Sequence, residues 1–172
     1  MKKFVALLLV CVTLFTFAYA EVDGVFVPSY QSFMASFYEE LKDIDTLLAE
    51  ALYEECYKDG KWKSSSIVYT PYHNFTFSPS IQGDYIYVFD IRCSWIEDGD
   101  NEAQFKAMMI AATKSLVAGK NDDVVNDLFE SIHYDYVMES PAKLVSTEFF
   151  YGVYRISLTK SSTGHEFSIS KL

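Results

Sequence analysis

The stretch DYIYVFDIRCSWI, Asp84 to Ile96, decides how this chain is read. Tyr85, Tyr87, Phe89, Ile91, Cys93 and Trp95 alternate with Ile86, Val88, Asp90, Arg92, Ser94 and Ile96. A period of two is that of a β-strand, whose successive side chains leave on opposite faces. The first set is apolar throughout and predicts a face turned to a core. The second is half polar and predicts the face nearer solvent.

Toward the N-terminus, SSSIVYTPYHNFTF, Ser64 to Phe77, is rich in β-branched and aromatic residues, broken by Pro71 and closed by Ser78-Pro79. It predicts two short strands or one bent edge strand. Tyr69, Tyr72, His73, Phe75 and Phe77 crowd this segment, and Asn74-Phe75-Thr76 is formally a glycosylation sequon, relevant in a eukaryotic source. Further upstream, a short extended GVFV leads to Pro28-Ser29, a helix-start signal. Then Tyr30, Phe33, Phe37, Leu41, Ile44, Leu48 and Leu52 recur at steps of three and four, one face of a helix. The spacing predicts a single helix to about Lys58, stopped by Gly60 as a left-handed C-cap, with Asp43 and Asp45 marking an alternative break.

Downstream, EDGDNEAQ alternates Asp98, Asp100 and Glu102 as a calcium loop begins. Ala103 and Met109 stand where such a loop needs glycine and glutamate, so capping is the better account. Asn101 and Gln104 form a capping box for a helix carrying Phe105, Met108, Met109, Ala112 and Leu116, which Gly119 ends. Asn121-Asp122-Asp123 starts a second helix burying Val124, Val125, Leu128, Phe129 and Ile132. LVSTEFFYGVYRISLT alternates again, with Phe150, Tyr154, Ile156 and Leu158 on one side and Phe149, Tyr151, Val153, Arg155 and Ser157 on the other. SSTG then turns the chain into HEFSIS. The order of helix, strands, two helices and strands predicts an α+β fold, an antiparallel sheet with helices packed mainly on one face.

The first twenty residues, MKKFVALLLVCVTLFTFAYA, place two lysines before an apolar core and a small-x-small ending at Ala18-Tyr19-Ala20. That is the pattern of a signal peptide cleaved after Ala20, leaving residues 21–172 as one domain in a secreted or periplasmic protein, off the membrane once cleaved. Leu9-Val10 before Cys11 lacks the small residues of a lipidation site. Cleavage removes Lys2 and Lys3 but no acid, so the formal charge falls from −10 to −12. Such a field repels nucleic acid and anionic lipid surfaces and favours cationic partners; the expected partner is an unknown protein or, at the arginines, a small anionic ligand, and no nucleic acid.

Two cysteines remain, Cys56 and Cys93, and in an oxidising compartment they are expected to pair as a disulfide. The bridge would close a loop of about 38 residues, worth roughly 4 kcal/mol in the chain-entropy model. No CxxC or close Cys-His spacing points to a metal, and no cofactor motif is present. Cys56 near a helix end is poorly placed for a thiolate nucleophile. His133 and Asp135, two residues apart, offer a candidate acid-base or metal pair, for which a structural histidine at a helix exit is the plainer account. Arg92 and Arg155, the only arginines, fall on the more polar strand faces; together with Tyr151 they form a candidate site for a small anionic ligand. The alternative is that each arginine pairs with a neighbour such as Asp90 or Glu148 on a solvated face. The leading expectation is an exported, non-catalytic binding or interaction protein; the second is a small extracytoplasmic hydrolase using His133 and Asp135, with or without a metal.

Overall fold

The computed structural model describes residues 19–22, 25–63, 66–69, 74–77, 80–82, 84–93, 99–116 and 122–172. Residues 1–18 of the expected leader, with Cys11, lie outside them, as do Pro71 to His73, Ser94 to Asp98, Gly119 and Asn121. Strand β1 (Tyr19–Val22) pairs antiparallel with β2 (Val25–Pro28), so the expected cleavage after Ala20 falls within a strand.

Ser29 caps helix α1 (Tyr30–Ile44), its side chain accepting from the Ser32 N–H. The single helix expected here is two. Asp45 takes an extended conformation (φ −145°, ψ 95°), closes α1 and N-caps α2 (Thr46–Cys56) by accepting from the Leu48 N–H. An aspartate side chain that bonds the backbone ahead of it is a better helix start than a helix interior, and the chain reverses there. Tyr53 of α2 lies 5.2 Å from Tyr38 of α1, ring to ring. Gly60 is not a helix cap either. With Asp59 (φ 54°) and Gly60 (φ 76°) both left-handed, it turns the hairpin of β3 (Tyr57–Lys58) and β4 (Lys61–Trp62). This Asp-Gly pair suits a two-residue turn matched to strand twist.

The main sheet contains β5 (Ser66–Tyr69), β6 (Asn74–Phe77), β7 (Ser80–Gln82), β8 (Tyr85–Cys93), β9 (Val145–Tyr151), β10 (Tyr154–Ser161) and β11 (Gly164–Lys171). Its order is β5-β6-β8-β11-β10-β9, with β7 also on β8, and every pairing is antiparallel. Between β8 and β9 come α3 (Gly99–Leu116), α4 (Asp122–Ser131) and a short α5 (Tyr134–Glu139) that the periodicity did not reveal. Lys160 of β10 holds α5 by donating to the carbonyls of Met138 (2.9 Å) and Ser140 (2.8 Å), a cation at the negative end of a helix.

The helices cover one face of the sheet, as the order of elements predicts. Phe33 and Phe37 of α1 pack edge-on against Phe89, at 4.8 and 5.6 Å between centroids, and Phe105 of α3 is buried among them and Met108, Met109 and Ala112. The buried hydroxyls of Thr113 and Ser115 donate to the carbonyls four residues back, Met109 and Ala111, so their burial leaves no orphan proton.

Two expected faces are corrected. Tyr85 and Tyr87 are exposed, whereas Ile86, Phe89, Ile91 and Cys93 are buried. The register against β7 slips: Ser80 faces Val88 but Ile81 faces Ile86, leaving Tyr87 as an extra residue. That bulge inverts the alternation midway along β8. The stretch around Gly152 is likewise two strands and not one. Tyr151 pairs with Tyr154 across a turn at Gly152 (φ 56°) and Val153. Phe149 therefore faces the helices opposite Ile156, and Phe150 emerges 53% exposed opposite Arg155.

Candidate functional site

Register places the two arginines on the uncovered face, but apart. Arg92 lies level with Glu166 of β11, and Arg155 with Ser170. Four residues along β11 and two strand spacings amount to roughly 16 Å. Arg92 is engaged by Glu166 (Nε to Oε2, 2.7 Å) and Asp90 (3.5 Å). Its side chain is 53% exposed, so these pairs contribute about 0–1 kcal/mol. Arg155 donates to the Ser170 hydroxyl at 3.4 Å. Tyr151 is not beside Arg155 at all: the turn at Gly152 puts it on the helix side, opposite buried Tyr154. The expected anion site of Arg92, Arg155 and Tyr151 is not assembled.

Cys56 and Cys93 are both buried and are not joined in a disulfide. The reversal at Asp45 returns α2 toward the start of α1, where Tyr30 donates through its hydroxyl to the Lys63 carbonyl and Lys63 N–H bonds Cys56. Ser29, at that same end, bridges to Tyr85, the first residue of β8. Cys93 is the last, roughly 26 Å further along the strand. A disulfide needs Cα atoms about 4.4–6.8 Å apart, so the expected pairing is corrected. Burial pushes the Cys93 thiol up to about 11, which keeps it protonated and unsuited to nucleophilic attack. Thiol titration of the unfolded, unreduced protein is expected to find both Cys56 and Cys93 reactive. Finding neither would overturn this arrangement.

His133 and Asp135 do not share a strand face. His133 sits in the left-handed region (φ 51°, ψ 51°) at the exit of α4, and Asp135 is in the first turn of α5. Both line an open depression of about 340 Å³ with Phe129, Glu130, Tyr134 and Tyr136. Its floor has a structural task. Lys106 of α3 lies over the rings of Phe129 (5.3 Å) and Tyr134 (4.9 Å), and the Tyr134 hydroxyl donates to Glu102 at 3.3 Å. Burial, then the Glu102 carboxylate, push the Tyr134 phenol far above its ordinary value. Among the described residues no group of three His, Cys, Asp or Glu side chains can hold a metal ion.

A different site lies on the helix side. Thr113 and Leu116, three apart in the last turns of α3, project together. They meet Leu128 of α4, Phe149 and Tyr151 of β9 and Ile156 of β10 around a cavity of about 150 Å³. Asp127, exposed beside buried Leu128, also lines it and marks its mouth. The Thr113 hydroxyl proton is committed to the Met109 carbonyl; the lining is mostly apolar, the Tyr151 phenol is its other neutral polar group, and the carboxylate of Asp127 is the one charge among the described lining residues. Gly152 amid an alternating pattern was the available signal for the turn that aims Phe149 and Tyr151 here. Nothing in the sequence signalled the cavity itself.

Fold and cavity define the class: an α+β protein whose antiparallel sheet is covered by helices on one face, with an apolar cavity between the layers. No protein family model matches the chain, and comparison with curated proteins and with solved structures finds no match.

Proposed function

We propose that this chain is an exported, non-catalytic binding protein that seats an apolar group of a small ligand between α3, α4 and the β9–β10 hairpin. Export rests on the leader-like first twenty residues. Binding rests on one observation, the cavity of about 150 Å³ lined by Leu116, Leu128, Phe149 and Ile156. Apolar cavities of this order stay dry and accept a single ring, because the ligand regains dispersion contacts that the lining side chains lack. The second reading, a hydrolase working in the depression, draws on His133 and Asp135 both lining it.

Benzyl alcohol is expected to bind saturably, shifting the methyl NMR signals of Leu116, Leu128 and Ile156. Leu128→Trp, shown by circular dichroism to remain folded, fills the cavity and should abolish those shifts. Absence of saturable binding, or unchanged binding in Leu128→Trp, would overturn the cavity reading. Turnover in a hydrolase screen that is lost in His133→Ala would establish the hydrolase instead.

A further inference from the structure

From the mouth of the cavity we infer that the ligand is a cation, a small amine carrying one apolar ring or branched chain; this rests on the binding function proposed above. The lining is mostly apolar, and apart from Asp127 its polar side chains are the Thr113 hydroxyl, already donating to Met109, and the Tyr151 phenol. At its edge stands Asp127, which makes no ion pair or side-chain hydrogen bond with any described residue. No lysine or arginine is among the described lining residues. An ammonium group at this edge stays partly hydrated and gains a charge-assisted hydrogen bond, while its apolar part leaves water. A carboxylate in the same place would meet Asp127 with like charge. The chain as a whole carries a formal charge of −10, so its long-range field also gathers cations and repels anions.

Size sets the other limit. A cavity of about 150 Å³ admits one six-membered ring or its branched equivalent. Asp127 and Leu128, consecutive on α4, one exposed and the other buried, both line the cavity, so the carboxylate belongs to its solvent-facing edge.

Three probes of nearly equal size separate the possibilities: benzylammonium, benzyl alcohol and benzoate, titrated by NMR into the full chain at neutral pH. Benzylammonium is expected to bind about three- to tenfold more tightly than benzyl alcohol at low salt, the advantage shrinking in 0.5 M salt as the exposed charge is screened. Benzoate is expected to bind most weakly. Asp127→Asn, at an exposed position, should bring the affinities of benzylammonium and benzyl alcohol together. If benzyl alcohol binds and benzylammonium binds no more tightly, the cation inference fails and the cavity reading stands. A preference that survives both Asp127→Asn and high salt also overturns the inference. If none of the three binds, the binding function fails with it.

Discussion

Phe37→Ala is expected to destabilise the fold by about 3–5 kcal/mol. Phe37 is fully buried, and its ring lies 6.0 Å from Phe33, 5.9 Å from Phe77 and 5.6 Å from Phe89. It therefore joins α1 to two strands of the main sheet. Truncation removes the apolar area of the ring, its edge-to-face contacts and the filling of the space, and these losses add. Whole domains are stable by about 5–15 kcal/mol, so the change takes a large share of the total. Leu47, 78% exposed, is the control: Leu47→Ala should change stability by less than about 0.5 kcal/mol. Urea denaturation of the two variants checks the comparison. A cost below about 1 kcal/mol for Phe37→Ala would mean that α1 is not seated on the sheet as described.

Stability is also expected to fall as the pH drops from about 6.5 to about 4, through His165. This residue, 3% exposed on β11, lies between Cys93 of β8 and Lys160 of β10 in the strand register and faces the ring of Phe105 at 6.1 Å. Burial first, and the Lys160 ammonium second, lower its value from 6.5 to about 4. Above pH 6.5 the imidazole is neutral in both states and contributes no pH dependence. Below it the unfolded chain takes up a proton that the folded chain refuses, so the unfolded state gains until about pH 4, where both are protonated. The full effect is on the order of 3 kcal/mol. Acid affects stability through other groups as well, so the diagnostic is the difference in slope between the wild type and His165→Phe. The variant should show a shallower fall over this interval. Equal slopes would show that His165 takes up its proton in the folded state as readily as in the unfolded one.

Much of the architecture was legible in the sequence because it rests on local periodicity. The stripe from Tyr30 to Leu52 specified helix, and β8 and the C-terminal strands showed their period of two. An antiparallel sheet with helices on one face followed from the order of those elements. What alternation cannot reveal is where its phase changes. One extra residue at Tyr87 and one two-residue turn at Gly152 each inverted a face, exposing Tyr85, Tyr87 and Phe150 and taking Tyr151 away from Arg155. The reversal at Asp45 had the same effect on a larger scale, carrying Cys56 away from Cys93.

The sequence by itself thus determined the kinds of element, their order and the apolar stripes that join them, because each depends on side chains a few positions apart. Only the tertiary structure decided which side chains share a site. The cavity brings Leu116, Leu128, Phe149 and Ile156 together from two helices and two strands. It is a space left between layers, and its existence depends on how closely those layers approach, which long-range packing determines and no local pattern encodes.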